Sequence, residues 1–354
     1  MKKQIVIAVS IFCGSAAAFG QDIHFSQYNE TPSLVNPALT GSAYVMRAAL
    51  IYKDQWGSVT VPYRTYGASY EMKFKASNWE KSDPFRTKSY KKAFSRLAGG
   101  LSFFSDKAGD GGMGTNLVNL SLASFIKTGE LSTLSVGLQG GIIQKSINFN
   151  KLVFSNQYNG TGYDKTPAMG EDYSSHSFIT PDVSAGLLWR YDKEEESIGE
   201  NNQVTVNLGA AMFHINKPSQ KFMPKGNDKL YSKLNVHGSL LLGIPHSSVG
   251  LAPSFYFSFQ GRQKELLSGI MVKYYLKHDS KYTGYIKKSS VGLGVYYRNR
   301  DALIINMLLE MGQYAIGFSY DLNTSGLATV STLRGGPEVT IRFNSGNRFL
   351  FQKR

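Results

Sequence analysis

The chain is poor in everything that would mark a disulfide scaffold, a helical membrane protein or a metalloenzyme. Its one cysteine among 354 residues, Cys13, lies in a stretch that reads as a secretory leader. Lys2 and Lys3 precede an apolar core from Ile5 to Phe12, then small residues and Ala18-Phe19-Gly20, so cleavage is expected before Gln21. Cys13 follows Ser10, Ile11 and Phe12 without the small neighbour of a lipidated cysteine, and lies too early in the leader to be one. Its removal leaves a mature chain with no thiol and no possible intrachain disulfide. No later apolar run is long enough for a membrane helix. The six histidines, at positions 24, 176, 214, 237, 246 and 278, show no paired ligand spacing. Acids such as Glu171, Asp172, Asp182 and Glu310 are dispersed and form no calcium loop, so neither a metal nor any other cofactor is expected. The run Gly109-Asp110-Gly111-Gly112-Met113-Gly114 lacks the Lys-Ser/Thr of a phosphate loop and reads as a hairpin tip. Acidic residues are few, 25 against 39 Lys and Arg, for a net charge of +14. Losing the two leader lysines makes it +12 (14 − 2). No basic cluster with interleaved stacking aromatics accompanies this charge, and an exported chain has little access to nucleic acid, which excludes that partner. Outer-membrane lipids and acidic proteins are the expected counterions.

What is abundant is alternation. Between Tyr44 and the end about fourteen segments alternate apolar and polar residues, the pattern of an all-β, antiparallel transmembrane barrel of about fourteen strands. In the first, Tyr44, Met46, Ala48, Leu50 and Tyr52 share one face and Arg47, Lys53 and Gln55 the other. At a strand rise of roughly 3.3 Å, Tyr44 and Tyr52 stand about 26 Å apart, near the height of an apolar band between aromatic girdles. Tyr44, Tyr52, Trp56 and Tyr66 are the expected girdle. Thirty-six glycines, 21 tyrosines and 21 phenylalanines suit such a wall, and a mean hydropathy of −0.23 fits strands with one polar face. The expected organisation is a leader over 1–20, a periplasmic segment over 21–43, a barrel over 44–345 and a tail over 346–354. An even strand number puts both termini on the periplasmic side, with loops near 148–176, 216–232 and 323–336 extracellular and the 76–92 connection periplasmic.

Several motifs together resemble a known family. Gln21-Asp22-Ile23-His24-Phe25-Ser26-Gln27-Tyr28, then Pro32, Asn36-Pro37-Ala38 and Gly41, followed by Tyr52-Lys53-Asp54-Gln55-Trp56, resemble the PorP/SprF family of the Bacteroidetes type IX secretion system. So do Gly99-Gly100-Leu101-Ser102-Phe103-Phe104-Ser105-Asp106-Lys107, Phe213-His214-Ile215-Asn216, Tyr297-Arg298 with Asp301-Ala302-Leu303-Ile304, and Ile316-Gly317-Phe318-Ser319-Tyr320-Asp321. The N-terminal cluster is the specific part. The chain departs from the pattern after Phe343, where Asn344 to Arg354 continue. The resemblance implies a non-enzymatic outer-membrane component that helps cargo adhesins with C-terminal sorting domains, gliding-motility adhesins among them, to reach or stay on the cell surface. Periplasmic and outer-membrane type IX components are the other partners it implies.

Phe25, Gln27, Tyr28, Pro32, Asn36 and Pro37 are the candidate site, either binding a partner or plugging the periplasmic mouth of the barrel, with Asn36-Pro37 turning into the first strand. Inward residues Arg47, Glu71, Lys73, His237, Lys273 and Arg298 are expected to interlock across a narrow lumen. Asn235, His237 and Ser239 share one strand face and resemble the parts of a hydrolytic site in type. That face points inward, whereas a lipid hydrolase needs its nucleophile at the lipid-facing wall, so no catalytic residue is expected. A small-solute channel and, more distantly, a lipid-modifying enzyme are the competing readings.

Overall fold

The computed structural model describes residues 22–57, 61–74, 96–109, 111–164, 166, 177–193, 201–220, 228–277, 289–326 and 331–345. The leader, the tail over 346–354 and the 76–92 connection lie outside the described residues, as does much of the stretch from 165 to 176.

Fourteen strands form one closed antiparallel meander. They are β1 (Met46–Gln55), β2 (Tyr63–Lys73), β3 (Leu97–Ala108), β4 (Met113–Lys127), β5 (Ser132–Ser146), β6 (Ser177–Lys193), β7 (Val204–Phe213), β8 (Lys233–Gly243), β9 (Val249–Gln260), β10 (Gln263–Lys277), β11 (Ser289–Arg298), β12 (Ala302–Met311), β13 (Tyr314–Asn323) and β14 (Arg334–Ser345). The barrel closes where β1 pairs with β14, from Met46↔Ser345 to Lys53↔Glu338. Closure leaves no sheet edge, the condition for a β-structure to stand in hydrocarbon.

Side chains sort by the two-residue period. On β4, Leu120 and Leu122 are exposed while Asn119, Ser121 and Ala123 are buried. Leu50, Leu101, Leu138, Leu187, Leu293 and Ile305 also face outward. An apolar exterior of this extent around a polar interior is a lipid-facing wall, and the protein is an integral outer-membrane β-barrel.

Odd strands run from the end where β1 begins, here the near end, and even strands return to it. The loops after β5, β7 and β13 therefore share the far end. The path of residues 22–43 corrects two expectations. These residues are neither a periplasmic segment nor a plug of one mouth alone; they run down inside the barrel from one end to the other. Asp22 sits among His214, just past β7, Gln260 at the end of β9 and Lys233 at the start of β8, all at the far end. Gly41 meets Glu71, late in β2, at the near end. An even strand count does return Ser345 to the near end, but Asp22 lies at the opposite one, because the chain crosses the lumen before β1 starts.

Candidate functional site

Residues 22–43 have little regular structure, consisting of single turns at Tyr28–Glu30, Pro32–Val35 and Pro37–Leu39. Such short turns are not stable alone, so this segment is held by what surrounds it. Phe25, Ser26, Gln27, Tyr28, Glu30, Asn36, Pro37 and Ala38 are all buried.

At the far end Asp22 accepts a hydrogen bond from His214 Nε2 at 2.7 Å, while His214 Nδ1 faces Asp182 at 2.8 Å. Burial by itself would lower the His214 pKa, but carboxylates on both ring nitrogens outweigh it and push it up to about 9. Burial would likewise raise Asp22, yet the imidazolium, Lys233 and the Gln260 amide hold its carboxyl well below the usual range. The start of the segment is thus pinned by a charged His–Asp pair.

One turn further in, the backbone N–H groups of Ser26 and Gln27 donate to the two carboxylate oxygens of Glu338, at 2.9 and 2.8 Å. Gln27 Nε2 donates to the Glu338 carbonyl at 3.1 Å, and its Oε1 accepts from Thr340 at 2.9 Å. Arg298 donates to the Ser26 hydroxyl at 2.6 Å and pairs with Asp321 and Asp301. Phe25 packs on Phe104, and Tyr28 stacks on Tyr256 with centroids 5.4 Å apart. Tyr28 and Val35 belong to an apolar cluster with Leu267, Met271, Tyr296 and Ile304. The lumen is therefore part hydrophobic core.

Glu30 bridges two wall arginines, Arg47 at 3.1 Å and Arg342 at 2.5 Å. Arg47 goes on to Glu71, and Arg342 to Glu310, which also pairs with Lys273. Each of these charges is buried or mostly so, and each has an opposite neighbour, as a site of low dielectric requires.

Asn36 is fully buried. Its amide nitrogen donates to the Leu187 carbonyl at 2.8 Å and meets His237 Nε2 at 3.0 Å, and its Oδ1 caps Ala38 N–H at 2.9 Å. Asn235 Nδ2 donates to the Leu34 and Val35 carbonyls. His237 and Asn235 thus face the segment, not a nucleophile. Pro37 fits against the wall because the facing positions are glycines. A Cβ on Gly137 would strike the Pro37 and Ala38 backbone, and one on Gly186 or Gly209 would strike the Asn36 amide.

The candidate girdle divides. Tyr52 and Tyr66 face each other across β1 and β2 with centroids 5.0 Å apart, on the outer wall near the far end. Trp56 follows β1 in the left-handed region (φ 59°) and packs edge-on against Tyr63. Tyr44 is a correction. β1 begins only at Met46, so the alternation does not reach residue 44, whose ring lies 5.8 Å from the Arg342 guanidinium inside the barrel. The near-end aromatics of the outer wall include instead Tyr70, Phe74, Tyr274, Tyr314 with Phe343, and Trp189.

Sequence reading did not single out Asp22, Glu30, His214, Glu338 or Arg342 as residues that hold the segment. Three acids, an arginine and a histidine at polar positions carry no local signal; only their partners about 190 to 310 positions away give them a role. Beneath the segment a cavity of about 280 Å³ remains toward the near end, lined by Tyr28, Glu30, His237, Lys273, Tyr296 and Arg342 among others.

The family model described as type IX secretion system membrane protein PorP/SprF matches residues 17–343. No curated protein matches the chain. Among solved structures, the Ralstonia pickettii toluene transporter TbuX is similar at 11% identity, with 89% of this chain and 92% of that one covered and a TM-score of 0.46. BamA from Haemophilus ducreyi lacking POTRA domains 1-3 is similar at 9% identity, over 84% of this chain and 70% of that one, with a TM-score of 0.40. The beta domain of the Bordetella autotransporter BrkA is similar at 9% identity, over 86% and 100%, with a TM-score of 0.34.

Proposed function

Because the chain belongs to the PorP/SprF family of type IX secretion system membrane proteins, we propose that this outer-membrane barrel is an adaptor or anchor for particular cargo, and not an enzyme or a conduit. The cargo is a surface adhesin with a C-terminal sorting domain, of the kind used in gliding motility, and the barrel works with the periplasmic and outer-membrane components of the secretion machinery. One observation carries the reading. The lumen is filled by residues 22–43, which are fixed to the wall by the Glu30–Arg47–Arg342 cluster, the Glu338 carboxylate and Asn36. Moving this segment would strand several buried charges, each at a cost of about 3–5 kcal/mol. A barrel so filled offers surfaces, not a passage, and an unfolded adhesin has no room in it. The same arrangement speaks against a small-solute channel, and the engagement of His237 by Asn36 speaks against a hydrolytic site on β8.

Deletion of the gene, followed by surface proteomics and affinity capture with the tagged barrel, tests the proposal. Loss of one or a few large adhesins from the surface, with the same adhesins captured on the barrel, is the expected result. An unchanged surface proteome would refute the adaptor role.

A further inference from the structure

The two rims of the wall differ in charge. Among the described residues, four exposed cations face outward at the far rim: Arg64 on β2, Lys107 on β3, Lys264 on β10 and Arg334 on β14. Register gives their direction. Arg64 pairs with Lys107 and lies two residues before outward Tyr66, and Lys264 pairs with Phe259, on the face of outward Phe255. Arg334 pairs with Leu322 beyond a bulge, on the face of outward Phe318. The outward acid beside them is Asp54, opposite Arg64. At the near rim, Lys193 is the one outward cation among the described strand residues, and it is half-buried.

The far cations stand at headgroup height. Over β3–β5 the apolar band ends with exposed Phe103, Val118 and Ile142. The next outward residues are polar and bonded to one another: Ser105 Oγ donates to Asn116 Oδ1 at 2.7 Å, and Asn116 Nδ2 to Gln144 Oε1 at 3.4 Å. Such a row belongs where hydrocarbon gives way to headgroups, and Lys107 lies about 7 Å further along its strand. Three of the cations gather over four neighbouring strands, β14, β1, β2 and β3, a width of about 14 Å. Arg64 and Lys107 are directly opposite in register, an arrangement that is destabilising for like charges unless an anion lies between them. Asp54 pairs with Arg64 at 3.3 Å, but Lys107 and Arg334 make no ion pair among the described residues. Trp56 sits between Arg334 and Arg64: its backbone N–H donates to the Gly335 carbonyl at 2.8 Å, and its ring packs edge-on against Tyr63. Lys264 stands alone on the other side of the barrel, over the Phe259 ring.

We propose that the far rim binds the multiply phosphorylated glycolipid of the outer leaflet, with Arg64, Lys107 and Arg334 holding two phosphates and Trp56 and Tyr63 packing against the sugars that carry them. An even strand number puts the near end in the periplasm, so the far rim meets the outer leaflet. Guanidinium forks suit phosphate oxygens, and a phosphate between Arg64 and Lys107 removes the repulsion of their register. A glycerophospholipid carries one phosphate and serves both leaflets, and a barrel built for it has cations at both rims; here they gather at one. An acidic protein arrives from above, at the loop tips, whereas these side chains leave the wall sideways, in the plane of the membrane.

The test is native mass spectrometry of the mature barrel from detergent micelles doped with diphosphoryl lipid A, monophosphoryl lipid A or phosphatidylglycerol at equal molar fraction. The wild type is expected to retain diphosphoryl lipid A about tenfold more tightly than either singly phosphorylated lipid. The double variant Lys107→Gln, Arg334→Gln, which leaves Arg64 its Asp54 partner, is expected to lose about tenfold in diphosphoryl lipid A binding, while Lys193→Gln at the near rim leaves it unchanged. Equal retention of the three lipids by the wild type would overturn the proposal without recourse to any variant. So would an equal loss in Lys193→Gln, or full retention in the double variant. If that variant instead loses binding of poly-glutamate to the vesicle-reconstituted barrel and keeps lipid A, the rim serves an acidic protein and the proposal fails.

Discussion

Glu30 shows most clearly how one residue holds this structure together. It is the only acid between Arg47 and Arg342 on the segment itself, and both arginines are buried. Glu30→Gln leaves each of the two buried guanidinium groups with one carboxylate, Glu71 for Arg47 and Glu310 for Arg342, where it had two, so unfolding by urea in lipid vesicles should show a loss of about 1–3 kcal/mol. Adding Arg342→Met should recover part of that loss, since Glu310 keeps Lys273 and an apolar neighbour is better tolerated than a buried charge short of one partner. His214 makes a second prediction, and its sign follows from two opposite shifts. Its pKa is raised by Asp22 and Asp182 against the effect of burial, so its contribution is complete below the ordinary histidine value of 6.5 and is lost as pH rises through about 9. Asp22 is depressed, so its contribution is present above 3.8 and is lost only in strong acid. The start of the segment should therefore be most protected between about pH 4 and 6.5. Protection of the Ile23 and His24 N–H groups, read from hydrogen-exchange rates corrected for the base-catalysed rise of free-amide exchange, should fall from there to pH 9, and His214→Gln should flatten the profile. A profile unchanged by the substitution would contradict the pairing.

At the scale of elements, the fourteen barrel strands were legible because a wall with lipid on one face and a polar lumen on the other imposes a two-residue period, whereas the short strands Ser219–Gln220 and Asp228–Lys229 fall where the sequence reads as a loop. β10, which begins at Gln263, breaks the alternation where Leu266 and Leu267 are adjacent and both apolar. Leu266 faces lipid, while Leu267 is fully buried in the cluster around Tyr28. An apolar residue pointing inward looks like a broken pattern until the lumen is known to contain a core. The same holds for Tyr256, Tyr296 and Ile304. The segment's motif was visible as Asn36-Pro37-Ala38, but its seat was not, since Gly137, Gly186 and Gly209 lie on three strands far along the chain. These glycines make an element-level prediction. Gly137→Val places side-chain atoms where the Pro37 and Ala38 backbone lies. The outward face of β5 is untouched, so the barrel should still insert and close, while residues 34–40 become accessible to protease. Overpacking of this kind costs about 1–3 kcal/mol. A variant as protease-resistant as the wild type would show that the segment does not rest on this wall.

The molecule as a whole is a barrel whose interior is closed by its own beginning. Alternation along the strands establishes a membrane wall, and it says nothing about whether the lumen is open. The answer lies in contacts between residues 22–43 and strands up to 313 positions away, which no local pattern carries. Asp22 is at the far end and Gly41 at the near end, and β1 pairs with β14, so the segment that fills the lumen leads directly into the strand on which the barrel closes. That places the filled lumen at the centre of the account, ahead of any docking surface. The direct measurement is conductance of the purified mature barrel in planar lipid bilayers, beside the Gly137→Val variant. The account predicts no stable open current for the wild type and discrete openings once the segment is displaced. Stable, wide-open currents from the wild type would contradict it.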